Sequence, residues 1–290
     1  MAAPDPMIDD LRREIDAIDD AMHDLLMRRA ETYCAIDGRL GQAGDAEIQR
    51  ALDATTVRRL VRRHAGAFPR YTMVRMWREL IVATLHMQGA LAVAVHAPEK
   101  SVGYWDLARD HFGSGTPMTL HRSARRVLRE VADRRSAVGL VALPVDGEAE
   151  PWWPLLMGEA GVPRVVARLP FVDNDAGRLE NLGALAIARV APVPSGEDVS
   201  LFALETEAEL SRARLRDVLA KASFAAKDVA AWADPAADET RVHLIEIDGF
   251  LAVDDARFAE LESATGKAIR RVVGLGGYAR PLGLLGPNGN

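Results

Sequence analysis

Two arginines near the start of the chain sit where charge is unexpected. Ile8, Leu11, Ile15, Ile18, Met22 and Leu25 follow one another at steps of 3, 4, 3, 4 and 3 residues. That is the heptad pattern of a helix that packs against other helices along its length. The next seam position is Arg29, and Arg12 stands beside Leu11. A guanidinium on an apolar stripe is costly to bury unless an anion meets it. A bridge to an Asp or Glu of a neighbouring helix would meet it. So would the carboxylate of a small molecule held in a helical bundle, because the guanidinium fork matches a carboxylate in bidentate fashion.

The element that must position both arginines is a helix from residue 8 to about 40. No proline interrupts it and its first glycine is Gly38, so it can run for roughly 45 Å at about 1.5 Å per residue. Asp9 or Asp10 can cap its start. A helix of that length exceeds the core of one small domain and is expected to pack against a partner chain. Glycines between residues 38 and 46 mark a loop or a frayed end. A second helix is expected over about 46 to 64, with Ile48, Leu52, Val57, Leu60 and Val61 on its apolar side. Gly66 to Pro69 breaks it, and a third follows over about 70 to 88, carrying Val74, Trp77, Leu80, Ile81 and Leu85.

The run Leu11-Arg12-Arg13-Glu14-Ile15-Asp16-Ala17-Ile18-Asp19, followed by Leu25-Leu26-Met27-Arg28-Arg29, resembles the first helix of the all-helical chorismate mutases; the resemblance covers residues 7 to 89. It implies a three-helix all-α domain in a dimeric bundle. The implied reaction is the pericyclic rearrangement of chorismate to prephenate, in phenylalanine and tyrosine synthesis, which needs no nucleophile, metal or cofactor. The protein must hold a chair-like conformer and stabilise charge growing on the breaking ether oxygen. By the resemblance, Arg12 (reaching in from the partner chain) and Arg29 grip the carboxylates. Thr84 and Gln88, spaced i, i+4 on one helix face, match the family's hydroxyl and its donor to the ether oxygen.

Three positions depart from that pattern. The family's lysine at the end of the first helix falls on Leu40, or on Gly41 with one residue of slip, and no lysine precedes Lys100. Arg39 is adjacent and could supply the charge if the helix end rotates. The second-helix glutamate corresponds to Asp53, one methylene shorter; the arginine before it is Leu52, and an acid one turn earlier is Gln49, still able to bond the ring hydroxyl. Losing one preorganised donor costs roughly 3 to 4 kcal/mol, about a hundred- to thousandfold in rate. The expectation is an isomerase with a weakened site, or one in which Arg39 takes over. The alternative is a non-catalytic homologue that uses the bundle to dimerise as a binding or regulatory module.

Beyond Gly89 the pattern turns α/β. Strands are expected at Leu91 to His96, Ala137 to Leu143, Val162 to Leu169 and Leu185 to Val190, with helices at Trp105 to Phe112 and Ser123 to Arg134. Pro192 to Gly196 reads as a linker. The last segment reads β-α-β-β-α-β, the ferredoxin-like order. Gly139 to Pro144 resembles a strand of prephenate dehydratases. Leu244 to Gly249 and Val273 to Tyr278 look like the end of their ACT regulatory domain. The organisation expected is thus a mutase domain over 1–90, a dehydratase-like domain over 91–196 and an ACT-like domain over 197–290. Dehydratase activity itself is not expected. Where the family has Thr-Arg-Phe, this chain has Ala184 to Val190, and residues 91 to 196 suffice for little more than one of the two usual lobes. The amino-acid-binding signatures of ACT domains are missing too, and Trp152 and Trp153 read as packing residues.

The net charge of −6 gives no electrostatic reason to expect nucleic acid or an anionic membrane. The single cysteine, Cys34, reads as a small helix-packing residue. The acidic N-terminus lacks the order of a signal peptide, and no apolar run is long enough to span a bilayer, so a cytoplasmic protein is expected. The seven histidines show no metal-ligand spacing. Gly274-Leu275-Gly276-Gly277 is followed by no helix, which rejects a dinucleotide fingerprint. The partners expected are chorismate and a second copy of the chain.

Overall fold

The computed structural model describes residues 6–40, 48–49, 52, 54–87, 91–98, 103–158, 161–172, 182–233, 239–266 and 268–283. The chain divides into two compact units, Met1–Gly44 and Asp45–Asn290.

The first unit is α1, Pro6–Leu40, 35 residues in one helix. Its seam side chains are exposed: Leu11 at 54%, Ile15 at 57%, Ile18 at 52% and Leu25 at 63%. Cys34, expected to be a packing residue, is exposed as well. Counting from Arg29, Cys34 falls on the face opposite the seam.

The second unit begins with α2 (Ala54–Arg63) and α3 (Arg70–His86). Pro69 precedes α3 in an extended conformation, which suits a ring that cannot donate a backbone hydrogen bond. Next come β1 (Val93–His96), α4 (Gly103–Phe112), β2 (Met118–His121), α5 (Ala124–Ala132) and β3 (Val138–Ala142). A 3₁₀ turn at Trp153–Met157 leads to β4 (Arg164–Leu169) and β5 (Ala184–Ala188). The chain ends in β6 (Asp198–Glu207), α6 (Arg212–Lys221), β7 (Ala226–Trp232), β8 (Thr240–Asp248), α7 (Ala256–Ala264) and β9 (Ile269–Ala279). The sequence reading missed β2. It is a four-residue strand with two exposed residues in the middle, too short and too polar for a period to show.

The nine strands among the described residues form one sheet, in the order β2-β1-β3-β5-β4-β9-β6-β8-β7. Strand β1 lies parallel to β2 and β3, and β5 runs antiparallel to β3 and β4. The last four strands are mutually antiparallel neighbours, β9-β6-β8-β7, in the ferredoxin-like arrangement. The two groups join where β4 meets β9 in parallel, at Val165 and Gly276. The sheet therefore passes without a break across residue 196.

Strand alternation sorts the core into layers. On β6, Phe202 and Leu204 face α6 and α7, together with Leu215, Leu219, Phe258 and Leu261. Leu201 and Ala203 face the other way, toward Trp152, Trp153 and Leu156. Both tryptophans are packing residues: Trp153 is 1% exposed, and the Trp152 indole N–H donates to the Ala142 carbonyl at 3.0 Å. A third layer runs from α2 and α3 through α4 to β1 and β3: Val57, Ile81 and Leu85 share a core with Leu107, Val95 and Leu140. This core crosses residue 90.

The segment read as a linker is clamped. The Asp198 carboxylate accepts from the Ser195 and Gly196 amides (2.9 and 3.1 Å) and from the Ser195 hydroxyl (2.6 Å). Arg58, 3% exposed, donates to the carbonyls of Ser195, Glu197 and Arg280.

Candidate functional site

The seven residues singled out from the sequence divide between the two units. Arg12 and Arg29 lie on α1. The Arg12 side chain is 72% exposed and pairs with Asp9 at 3.3 Å, one turn back on the same helix. Such a pair is worth only tenths of a kcal/mol, so an incoming carboxylate would displace Asp9 at little cost. Arg29 is half-buried, its guanidinium 4.8 Å from the centre of the Tyr33 ring, a cation–π geometry.

Thr84 and Gln49 lie in the second unit. Thr84 is 5% exposed, and its hydroxyl donates to the Leu80 carbonyl at 2.7 Å. That back-bond fixes the rotamer, so the oxygen presents its lone pairs rather than its proton to any neighbour. Gln49 donates to the Ala191 carbonyl at 3.3 Å, which ties the start of the second helical stretch to the end of the first strand group. Asp53, Gln88 and the Arg39 side chain lie outside the described residues.

Sequence reasoning missed two buried arginines that carry the same signal as Arg29. Arg78 sits among Val74, Ile81 and Leu85 on the buried face of α3, and Arg58 sits between Val57 and Val61 on α2. They are 2% and 3% exposed. Arg58 is committed to backbone carbonyls, as above. Arg78 lies over the Phe171 ring at 5.4 Å and close enough to the buried His111 to hold that imidazole's pKa down, after burial itself, well below its ordinary value.

Where a dehydratase would carry its elimination motif, β5 is a fully buried run of apolar residues. The nearby Arg189 donates to the Ala132 carbonyl at 2.6 Å, a structural bond at the end of α5. Among the described residues no group of three or more His, Cys, Asp or Glu could hold a metal ion. Among the described residues no helix is long and apolar enough to cross a membrane.

No family model matches the sequence. The chain is 29% identical over 146 residues to a bifunctional chorismate mutase/prephenate dehydratase of Aquifex aeolicus (strain VF5), a match covering 49% of this chain and 39% of that protein. It therefore spans about two fifths of the length of that curated relative. Among solved structures, a quorum-quenching acylase, GqqA, is 11% identical with a TM-score of 0.48, over 66% of this chain and 96% of that one. A prephenate dehydratase from Streptococcus mutans is 13% identical with a TM-score of 0.45, over 65% and 97%.

Proposed function

We propose that the chain is a chorismate mutase of the all-helical class, dimeric through α1, with a site slowed by the missing lysine. The observation that carries this reading is the 35-residue helix with an exposed apolar seam on which Arg29 takes a seam position and Arg12 stands alongside. Exposed leucines and isoleucines at heptad spacing call for a partner helix. A second copy supplies one with its own Arg12. The similarity to a protein that combines mutase and dehydratase supports the same reaction class.

In this reading the two guanidiniums bind the carboxylates and hold the reacting carbons within bonding reach. That proximity lowers the barrier by converting part of the activation entropy into binding. Gln88 donates to the ether oxygen, and Arg39 supplies the nearby positive charge. Asp53 and Gln49 accept and donate at the ring hydroxyl, with Thr84 completing the wall. The α/β portion carries the dehydratase-like and ACT-like resemblances without their signatures, and we assign it no reaction.

One observation favours a second reading, a non-catalytic dimeric binding or regulatory module: Leu40 and Leu52 stand where the family has cations. Chorismate turnover decides between them. In a spectrophotometric assay, the purified protein is expected to speed the loss of chorismate absorbance, and Arg29→Ala is expected to abolish the gain. Decay at the uncatalysed rate in the wild-type protein sinks the enzyme reading. Turnover that Arg29→Ala leaves intact sinks the site assignment.

A further inference from the structure

A cavity of about 30 Å³ opens between α3 and α4. It has room for a water or two, or for one small polar group. Tyr71, Arg75 and Arg78 line it from one face of α3, at spacings of four and three residues, and Asp110 and His111 line it from α4. Phe171, in the segment after β4, closes it.

The rim and the depth of this cavity differ in charge. At the rim, Asp110 is answered twice, by the Arg75 guanidinium at 3.0 Å and by the Tyr71 hydroxyl at 3.1 Å. The deep wall is cationic and buried. Arg78 is 2% and His111 5% exposed. The His111 Nε2 is buried and has no hydrogen-bond partner among the described residues. A buried ring nitrogen of this kind forgoes a bond that water would have given it. Burial and the Arg78 charge keep the ring neutral. In one of its two tautomers a neutral imidazole carries its proton on Nε2 and can donate from there.

We propose that this cavity receives a single carboxylate group, the head of a small organic acid, seated between the Arg78 guanidinium and His111 Nε2. A planar carboxylate matches the planar guanidinium fork, and it accepts the bond that Nε2 does not make inside the chain. The space suits one head group; the remainder of the acid extends past Tyr71 and Arg75. None of these residues belongs to the proposed mutase site, so this inference goes beyond that reading and does not depend on it. A bound acid would bridge α3 to α4.

The test is calorimetric titration of the full chain with formate and acetate, and with chloride and inorganic phosphate as separate arms. Saturable binding of the carboxylates is expected. It should weaken about tenfold or more in His111→Phe, which fills the space and removes the donor. A similar loss is expected in Arg78→Lys, which keeps the charge and loses the fork. His111→Gln, which keeps a donor, should bind better than His111→Phe. A second readout needs no variant. The charged or titratable groups facing His111 are Arg78, Arg75, Asp110 and Tyr71, and a carboxylate added to them favours the imidazolium. The ring-nitrogen resonances of His111 in the wild-type protein should then titrate at higher pH with acetate than with chloride. Absence of saturable carboxylate binding, equal binding by chloride or phosphate, unchanged binding in His111→Phe, or an unmoved His111 titration would each overturn the proposal.

Discussion

Gly276 on β9 lies against the backbone of Val165 on β4 so closely that no side chain fits between them. Its φ is +121°, and a Cβ built there would strike the Val165 carbonyl oxygen and stand 2.6 Å from the Val165 nitrogen. Among the described residues this is the registered pair between β4 and β9, the strands at which the two groups meet. Gly276→Ala is expected to combine backbone strain with a backbone clash and to destabilise the protein by about 2 to 4 kcal/mol. Urea denaturation checks it; Gly283→Ala, in open space, serves as the control with little change.

Arg58 is expected to be irreplaceable by lysine. Its guanidinium reaches the carbonyls of Ser195 (3.4 Å), Glu197 (3.3 Å) and Arg280 (2.8 Å) and the Ser195 hydroxyl (3.1 Å). An ammonium is one point charge on a flexible stem and cannot span those acceptors together. Arg58→Met should cost about 3 kcal/mol or more through the buried carbonyls left unmatched. Arg58→Lys should recover only part of that. Both are read from unfolding midpoints at neutral pH.

Acid is expected to weaken the fold well before its carboxylates titrate. His243 is completely buried, and burial, helped by Arg212 and Arg241, lowers its pKa to about 4. The unfolded chain takes up this proton near 6.5, so between about pH 6.5 and 4 it binds more protons than the folded one, and stability falls with pH. The loss from this residue approaches about 3 kcal/mol at pH 4. His111, also lowered, acts in the same direction. Asp146, held at about 2 by Arg212 and the Ala231 amide, contributes stability that is lost only below its unfolded value near 3.8. The measurement is the urea midpoint against pH. In His243→Leu the slope between pH 6.5 and 4 should flatten, while the steeper fall below pH 4 persists.

The seam of α1 gives a prediction about assembly. Ile15→Glu combined with Ile18→Glu places two charges on exposed apolar positions of the first unit. Sedimentation equilibrium is expected to show a dimer for the wild-type chain and a monomer for this variant, with thermal unfolding of the α/β portion unchanged. Chorismate turnover should be lost along with the dimer, because the proposed site takes Arg12 from the second copy.

The helices and most strands were legible because their periods are strong. The unbroken apolar runs of β3 and β5 are what fully buried strands require. Strand β2 was not legible, being short and half exposed. Nor was the joining of β4 to β9, since one pair of residues separated by more than a hundred positions leaves no local mark. Among site residues, Arg12 and Arg29 stood out because an arginine interrupts or flanks an apolar stripe. Arg58 and Arg78 do the same on α2 and α3 and went unremarked; only the structure separates the one that binds carbonyls from the one that lines a cavity. The Pro-rich composition of residues 192–196 suggested slack chain. Asp198 removes that slack through bonds that composition cannot foretell.

Strand β9 is flanked by β6 on one side and by β4 on the other, so the ferredoxin-like portion is already occupied along one of its two margins. Among the described residues, lateral growth of the sheet by a strand from another molecule is then confined to two places, Met118–His121 and Ala226–Trp232. The first is only four residues long. The second carries Lys227, whose side chain is 74% exposed, and an outward lysine discourages edge-to-edge stacking. A protein built this way is expected to resist sheet-mediated clumping at high concentration, whatever its exposed apolar helix does.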